Sequence, residues 1–313
     1  RADLPPNPQA HFDPAFLETA MTRALEHLSG AAKALGPATA GEFAVSLPLG
    51  AVWLDVDGDG ARDAWESLAA LLDAMGAQAD WNDFDGTVRF DTADAEWLAA
   101  YVEMMSGAAE LVLSVDPTSA IRTVYDGREA LKAKGVDIGL GDAFIGRDFI
   151  DQAATVLLAM EGKPDAARTK RALAHFQNMI AHNRKFWPEM MAETDSDHEW
   201  LPNPRQSSAF GIEITDEVAQ GWQDVLGEIE EILDGRALVP YSLAGMFGGP
   251  PPEVGINIRK FLTDPPDLNA VLLIQGASIA PYLEHGKLAN MEAWQRFELL
   301  TRGDGLLLAV LLN

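Results

Sequence analysis

Apolar residues recur at helical spacing along most of the chain. Between residues 13 and 35 the positions Phe16, Met21, Leu25, Leu28 and Leu35 make one helical stripe. Asp13 before Pro14 offers an N-cap with proline at the first helical position, and Gly36-Pro37 is expected to end the helix. Residues 43–54 break the period. Val45, Leu47, Leu49, Val52 and Leu54, interspersed with Gly and Pro, predict a short extended segment. A helix is expected from about Asp63 to Met75, with Trp65, Leu68, Leu72 and Met75 inward. A polar connection follows and ends in a short strand at Thr87 to Phe90. The longest stripe, Trp97, Tyr101, Met104, Ala108, Leu111 and Val115, predicts a buried helix face over residues 92–115, stopped by Asp116-Pro117.

The second half continues the pattern. Residues 122–147 are mixed and Gly-rich. Helices are expected over 148–161 and 164–192, with Pro164 where a helix start tolerates it. Residues 193–211 read as irregular. Thr215 caps a helix to Leu233, with Asp216 and Glu217 at its positive end and Gly235 closing it. The stretch Gly245 to Gly255 is a loop, Ala270 to Ile274 is a strand or a short helix, and residues 290–301 are helical before the apolar tail Leu306 to Leu312. The predicted fold is mainly α: one bundle-like, α-rich domain over 1–313 with a few short strands, divisible at about residue 200.

Composition narrows the function classes. Acidic residues outnumber basic ones 48 to 23, a formal charge of −25. Such a field repels phosphate backbones and anionic lipid heads and attracts cations, so neither a nucleic acid partner nor membrane insertion is expected. Without cysteine, a disulfide framework, a thiolate metal site and a Cys nucleophile are all ruled out. The most apolar run, Leu306 to Leu312, is far short of a membrane span, so none is expected. The opening Arg1-Ala2-Asp3-Leu4-Pro5-Pro6 reads as an extended leader, which leads us to expect a periplasmic or secreted protein.

One segment carries chemistry with full spacing. Asp55-Val56-Asp57-Gly58-Asp59-Gly60-Ala61-Arg62-Asp63-Ala64-Trp65-Glu66 satisfies D-x-[DN]-x-[DN]-G-x5-E. Ca2+ is a hard cation that takes six to eight oxygens. Asp55, Asp57 and Asp59 alternate and can converge on one point. Gly60 permits the sharp turn, the carbonyl of Ala61 adds an oxygen, Asp63 acts directly or through water, and Glu66 supplies two oxygens. These twelve residues resemble an EF-hand calcium loop. They depart from it at the eighth place, where Arg62 replaces the aliphatic residue that pairs two loops, and in the segment before them, which is not helical. A lone loop with a structural ion is expected, not a paired sensor. The alternative is an Asp/Gly turn capping the next helix.

Weaker constellations remain open. Asp195, Asp197 and Glu199 alternate like the start of a cation loop, with no glycine at the right place after them. His175 and His182, seven apart on one helix, could bind a metal with Glu189 or Glu193, or could be ordinary packing residues. Asp83, Asp85, Asp91, Asp94 and Glu96 could include a hydrolytic carboxylate pair or simply build a turn and an acidic helix start. Ser207-Ser208 belongs to no recognisable triad, and nucleophile-elbow, P-loop and dinucleotide fingerprints are missing from the sequence. The eight tryptophans read as core more readily than as a ligand groove. The strings Val88-Arg89-Phe90-Asp91, Glu96-Trp97-Leu98, Glu199-Trp200-Leu201-Pro202-Asn203-Pro204, Gln275-Gly276 and Pro281-Tyr282-Leu283 are similar to a family of bacterial proteins without an assigned activity. That resemblance would span most of the chain; it implies no substrate and transfers no catalytic residue. The sequence therefore predicts a calcium-binding protein whose ion is structural, with a calcium-dependent hydrolase using Asp/Glu carboxylates as the alternative.

Overall fold

The computed structural model describes residues 12–55, 59–68, 70, 87–136, 147–196, 198–209, 213–241, 253–301, 305, 309 and 312. The fold is mainly helical with a few short strands. Its centre is a pair of long antiparallel helices, α2 (Thr92–Val115) and α5 (Ala166–Ala192). Helix α1 (Phe16–Thr39) lies on the other flank of α2. Helices α3 (Thr118–Ala133) and α4 (Arg147–Ala159) pack on each other, and α6 (Asp216–Leu233) covers α5 with α7 (Ile258–Thr263). Two further helices, α8 (Ala270–Gln275) and α9 (Glu292–Leu300), complete the described set.

Sequence chemistry sets the start of α2. The Asp91 carboxylate accepts the Ala93 amide at 2.9 Å, and the Asp94 carboxylate accepts the Asp91 amide at 3.1 Å, a capping box. Asp116 ends the helix in the left-handed region, φ 37°. The predicted boundaries hold, but the predicted single stripe does not. Burial runs around α2, including Ala93, Ala99, Ala100, Val102, Ser106 and Ala109, because α1 covers one flank and α5 another. Ala108 is exposed. The helix is also long and apolar enough to cross a membrane by length and composition, which corrects the reading that only the C-terminal tail bore on this point. Half of its apolar window is buried within the fold.

The α2–α5 interface has a seven-residue repeat. Glu110 takes Arg168 at 2.9 Å and Arg171 at 2.6 Å. Glu103 meets His175 Nδ1 at 2.6 Å. Glu96 meets His182 Nδ1 at 2.5 Å and Lys185 at 3.0 Å. Glu96, Glu103 and Glu110 climb one helix in sevens while Arg168, His175 and His182 descend the other in sevens. Two antiparallel α-helices present facing residues at that interval. The apolar core joins Trp97 and Ala100 of α2 and Phe186, Trp187 and Met190 of α5 to Trp222 and Leu226 of α6 and to Phe297 of α9.

Several expectations are corrected. Helix α1 begins at Phe16 and runs through Gly36-Pro37 to Thr39; Phe16 itself is 70% exposed. Packing along α2 holds the last turn against the local stop signal. The stretch 122–147, read as mixed, holds most of α3, which begins at Thr118. The helix expected from Asp63 starts later: Ala64–Glu66 is a 3-10 turn, Ser67 is extended and pairs with Trp53, and Leu68 and Ala70 are helical; residues 69 and 71–75 lie outside the described set. Ala270 to Ile274 is helical, as one of its two readings had it. The antiparallel pair β1 (Ala44–Pro48) and β2 (Thr87–Asp91) matches the predicted extended segments, in register Ala44 with Asp91 and Pro48 with Thr87.

A second, three-stranded sheet, β3 (Val239–Pro240), β4 (Gly255–Ile256) and β5 (Leu283–Glu284), left no sequence signal, because two-residue strands are too short to show a period. Gly255 is required there. A Cβ on it would lie 2.6 Å from the Leu238 Cβ and 2.9 Å from the Val239 carbonyl oxygen. Gly255→Ala is expected to lower stability by about 1–3 kcal/mol, through backbone displacement in this sheet. Urea unfolding measures it, and an unchanged midpoint would refute the packing described.

Candidate functional site

The loop at 55–66 is closed at its base by backbone. The Leu54 amide donates to the Glu66 carbonyl at 3.0 Å and the Leu68 amide to the Val52 carbonyl at 2.9 Å, flanking the antiparallel Trp53–Ser67 bridge. Within it the Gly60 amide donates to Asp55 Oδ2 at 3.2 Å, and Gly60 sits at φ +74°, a conformation that suits glycine. The Ala61 amide donates to Asp59 Oδ1 at 2.7 Å. Asp55, Asp59, Ala61 and Asp63 are exposed, and Glu66 is buried beneath them. The Glu66 Oε2 accepts the Asp63 amide at 3.2 Å. The indole N–H of Trp65 donates to Asp63 at 3.3 Å. Asp57 lies outside the described residues. This donor set is all oxygen, as a hard cation requires. Glu66 is in part committed as a helix-cap acceptor, which a bidentate calcium ligand is not.

A second acidic centre forms where β2, the start of α2 and the end of α5 meet. Residues 193–196 and 198–209, within the stretch 193–211 expected to be irregular, are fixed here. The Arg89 amide donates to the His198 carbonyl, Glu199 bridges in parallel to Arg89 and to Ser208, and the Ala209 amide donates to the Glu199 carbonyl at 2.9 Å. Trp200 lies between Phe90, with ring centres 5.7 Å apart, and Trp97, at 5.6 Å. Asn203, buried, donates its amide to the Met190 carbonyl at 2.9 Å and the Glu193 carbonyl at 3.2 Å, tying the segment to the open end of α5. Sequence reading passed over Asn203. Its signal was an Asn-Pro pair 11 residues past a helix end, which becomes a cap only after the chain turns back.

Glu193, Asp195 and Glu199 each bring an oxygen within 4.8 Å of the others. Glu199 is buried, Glu193 half-buried and Asp195 exposed, so the group opens to solvent on one side. Arg89 reaches Asp91 at 3.1 Å and Asp195 at 3.2 Å. Burial pulls its guanidinium pKa down, and the carboxylates of Asp195, Asp91 and Glu199 more than reverse this. Burial, then the charge of Asp91, pushes the Asp94 carboxyl up to about 8 despite the Asp91 amide bond. Burial, again followed by Asp91, pushes Glu193 up to about 7. At neutral pH Asp94 therefore holds a proton and Glu193 is poised to lose one. Three oxygens so placed could hold a cation, and binding it would release protons.

Among the described residues, the remaining candidates are not gathered into a site. His175 and His182 each face their own glutamate from α2, and Glu189 and Glu193 join neither. Ser207 contacts Ser196 at 3.3 Å, and Ser208 donates to the Trp200 carbonyl. Asp83, Asp85, Trp81 and Asp197 lie outside the described residues. Trp97, Trp187 and Trp222 are core, as expected. A polar recess of about 510 Å³ beside α6 contains Arg184, Lys287 and Arg296, each paired with a carboxylate. Comparison with protein-family models, curated proteins and solved structures finds no match to this chain.

Proposed function

We propose that the protein binds calcium in the loop of residues 55–66 and that the ion is structural. The observation that carries this reading is the Gly60 amide bonded to Asp55 within a backbone-closed loop of complete twelve-residue spacing. The ion would collect Asp55, Asp59, Asp63 and the Ala61 carbonyl, together with Asp57, and draw Glu66 from its cap. It would fasten β1 to the segment that follows the loop, next to the cluster of Leu49, Val52, Leu68, Val88 and Trp200. Arg62 at the pairing place leaves a lone loop, for which a millimolar-calcium compartment outside the cytoplasm is the natural setting.

Thermal unfolding of metal-stripped protein tests the reading, with calcium added and magnesium as control. Calcium at a hundred times its dissociation constant should add about 2.7 kcal/mol. Asp59→Asn and Glu66→Gln should lose that increment, while Asp195→Asn keeps it. A calcium-specific rise that survives both loop variants and disappears in Asp195→Asn would move the site to the Glu193 centre. No rise at all would end the proposal.

The hydrolase alternative has one specific support: Asp94 and Glu193 hold protons at or near neutrality, as a general acid must. Its test is turnover of a panel of chromogenic glycosides and esters. Activity abolished by Glu193→Gln, with folding intact, would establish it; activity unchanged by that substitution would remove these carboxylates from the chemistry.

A further inference from the structure

Helix α4 is amphipathic with its apolar side turned outward. Phe149, Ile150, Val156 and Leu157 share one side of the helix and are 60%, 37%, 56% and 52% exposed. The opposite side carries Asp151, paired with Arg128 of α3 at 3.4 Å, and Thr155. A surface helix ordinarily has the reverse arrangement. Helix α8 repeats the anomaly: Val271 and Ile274 are 72% and 73% exposed, and residues 268–278 carry no charge. The two helices spring from one junction, where the Leu268 amide donates to the Gly162 carbonyl at 2.7 Å and Lys163 pairs with Asp264 at 3.0 Å. Exposed carboxylates ring that junction: Glu161, Asp165, Asp264 and Asp267 against Lys163.

Apolar ground beside an acidic rim specifies its partner. A second copy would set one rim against another on chains that each carry −25. An anionic lipid surface meets the same repulsion. We infer that the exposed apolar sides of α4 and α8, which flank this junction, dock a cationic amphipathic helix of another protein, whose apolar stripe covers Phe149, Val156, Leu157, Val271 and Ile274 while its Lys and Arg residues meet the carboxylates of the junction. Long apolar side chains in the centre and opposite charge at the edge match how such helices are held.

The test uses the full chain and a fluorescent 18-residue peptide of Lys and Leu at helical spacing, with a scrambled peptide of equal composition as control. Binding is followed by anisotropy at low and high salt. The positions changed are solvent-facing, and circular dichroism with thermal unfolding checks that each variant folds as the parent does. Val156→Asp with Val271→Asp should weaken the patterned peptide at least tenfold, as should Glu161→Lys with Asp267→Lys. High salt should weaken it too, and the scrambled peptide should bind far less. Equal binding of both peptides, or of the patterned peptide to parent and variants, would overturn the inference and leave bulk charge attraction. So would sedimentation showing a dimer that Val156→Asp dissolves, because the occupant would then be a second copy. Binding to vesicles containing anionic lipid, lost in the same variants, would replace the partner with a membrane.

Discussion

Asp94→Asn should make the protein more stable at pH 8 than the parent, and the advantage should shrink to nothing near pH 4. The Asp94 carboxyl titrates near its ordinary 3.8 when unfolded and at about 8 in the fold. Between those values the folded state holds a proton that the unfolded state has released. Stability therefore falls as pH rises, by up to about 1.4 kcal/mol per unit, and the loss is complete once pH passes the folded value. The sign follows from the cause: burial, then the Asp91 charge, oppose the carboxylate form. Asparagine has no proton to lose, and its carbonyl oxygen can still accept the Asp91 amide. The expected gain at pH 8 is on the order of 2–4 kcal/mol, after relaxation around the site. Urea midpoints at half-unit pH steps measure it. Parallel pH profiles for parent and variant would show that Asp94 is already ionised in the fold.

Trp97→Ala should cost about 3–5 kcal/mol and also loosen the acidic centre. The indole is buried, stacked on Tyr101 at 5.8 Å and tilted against Trp200 at 5.6 Å. Trp200 directly follows Glu199, and Phe90 on its other side belongs to β2, so one aromatic stack spans α2, β2 and the segment that carries the carboxylates. Removing one of its two inner rings leaves a cavity in the core and frees Trp200 to shift. A double-mutant cycle with Trp200→Ala should show a coupling of about 0.5–1.5 kcal/mol, the usual worth of an aromatic pair. Strict additivity of the two substitutions would mean that the stack does not transmit position.

Local chemistry is legible in the linear sequence, and that is where the readings hold. Helix α2 keeps its predicted bounds because Asp91 caps it and Asp116-Pro117 stops it, both effects within a few residues. Helix α6 likewise starts at its Thr215 cap, where the hydroxyl accepts the Val218 amide at 3.2 Å. The twelve-residue spacing of the acidic loop needs only counting, although one 3-10 turn and a bridge to Trp53 delay the expected helix to Leu68. That bridge joins residues on both sides of the loop, and the propensity of either side cannot anticipate it.

The mainly helical class, most helix bounds and the order of acidic groups along the loop were readable along the chain, since these depend on spacing and on neighbouring residues. Which charges meet was set by packing. Glu96, Glu103 and Glu110 stand in sevens, but their partners stand about 60 to 90 residues away on α5. Asp94 and Glu193, almost a hundred residues apart, acquire their high pKa values from burial and from the charges that folding gathers around them. Electrostatic energy depends on distance and on exclusion of water. Neither quantity exists along an extended chain; both appear when α2 and α5 pack and Asn203 draws residues 198–209 back over the helix end.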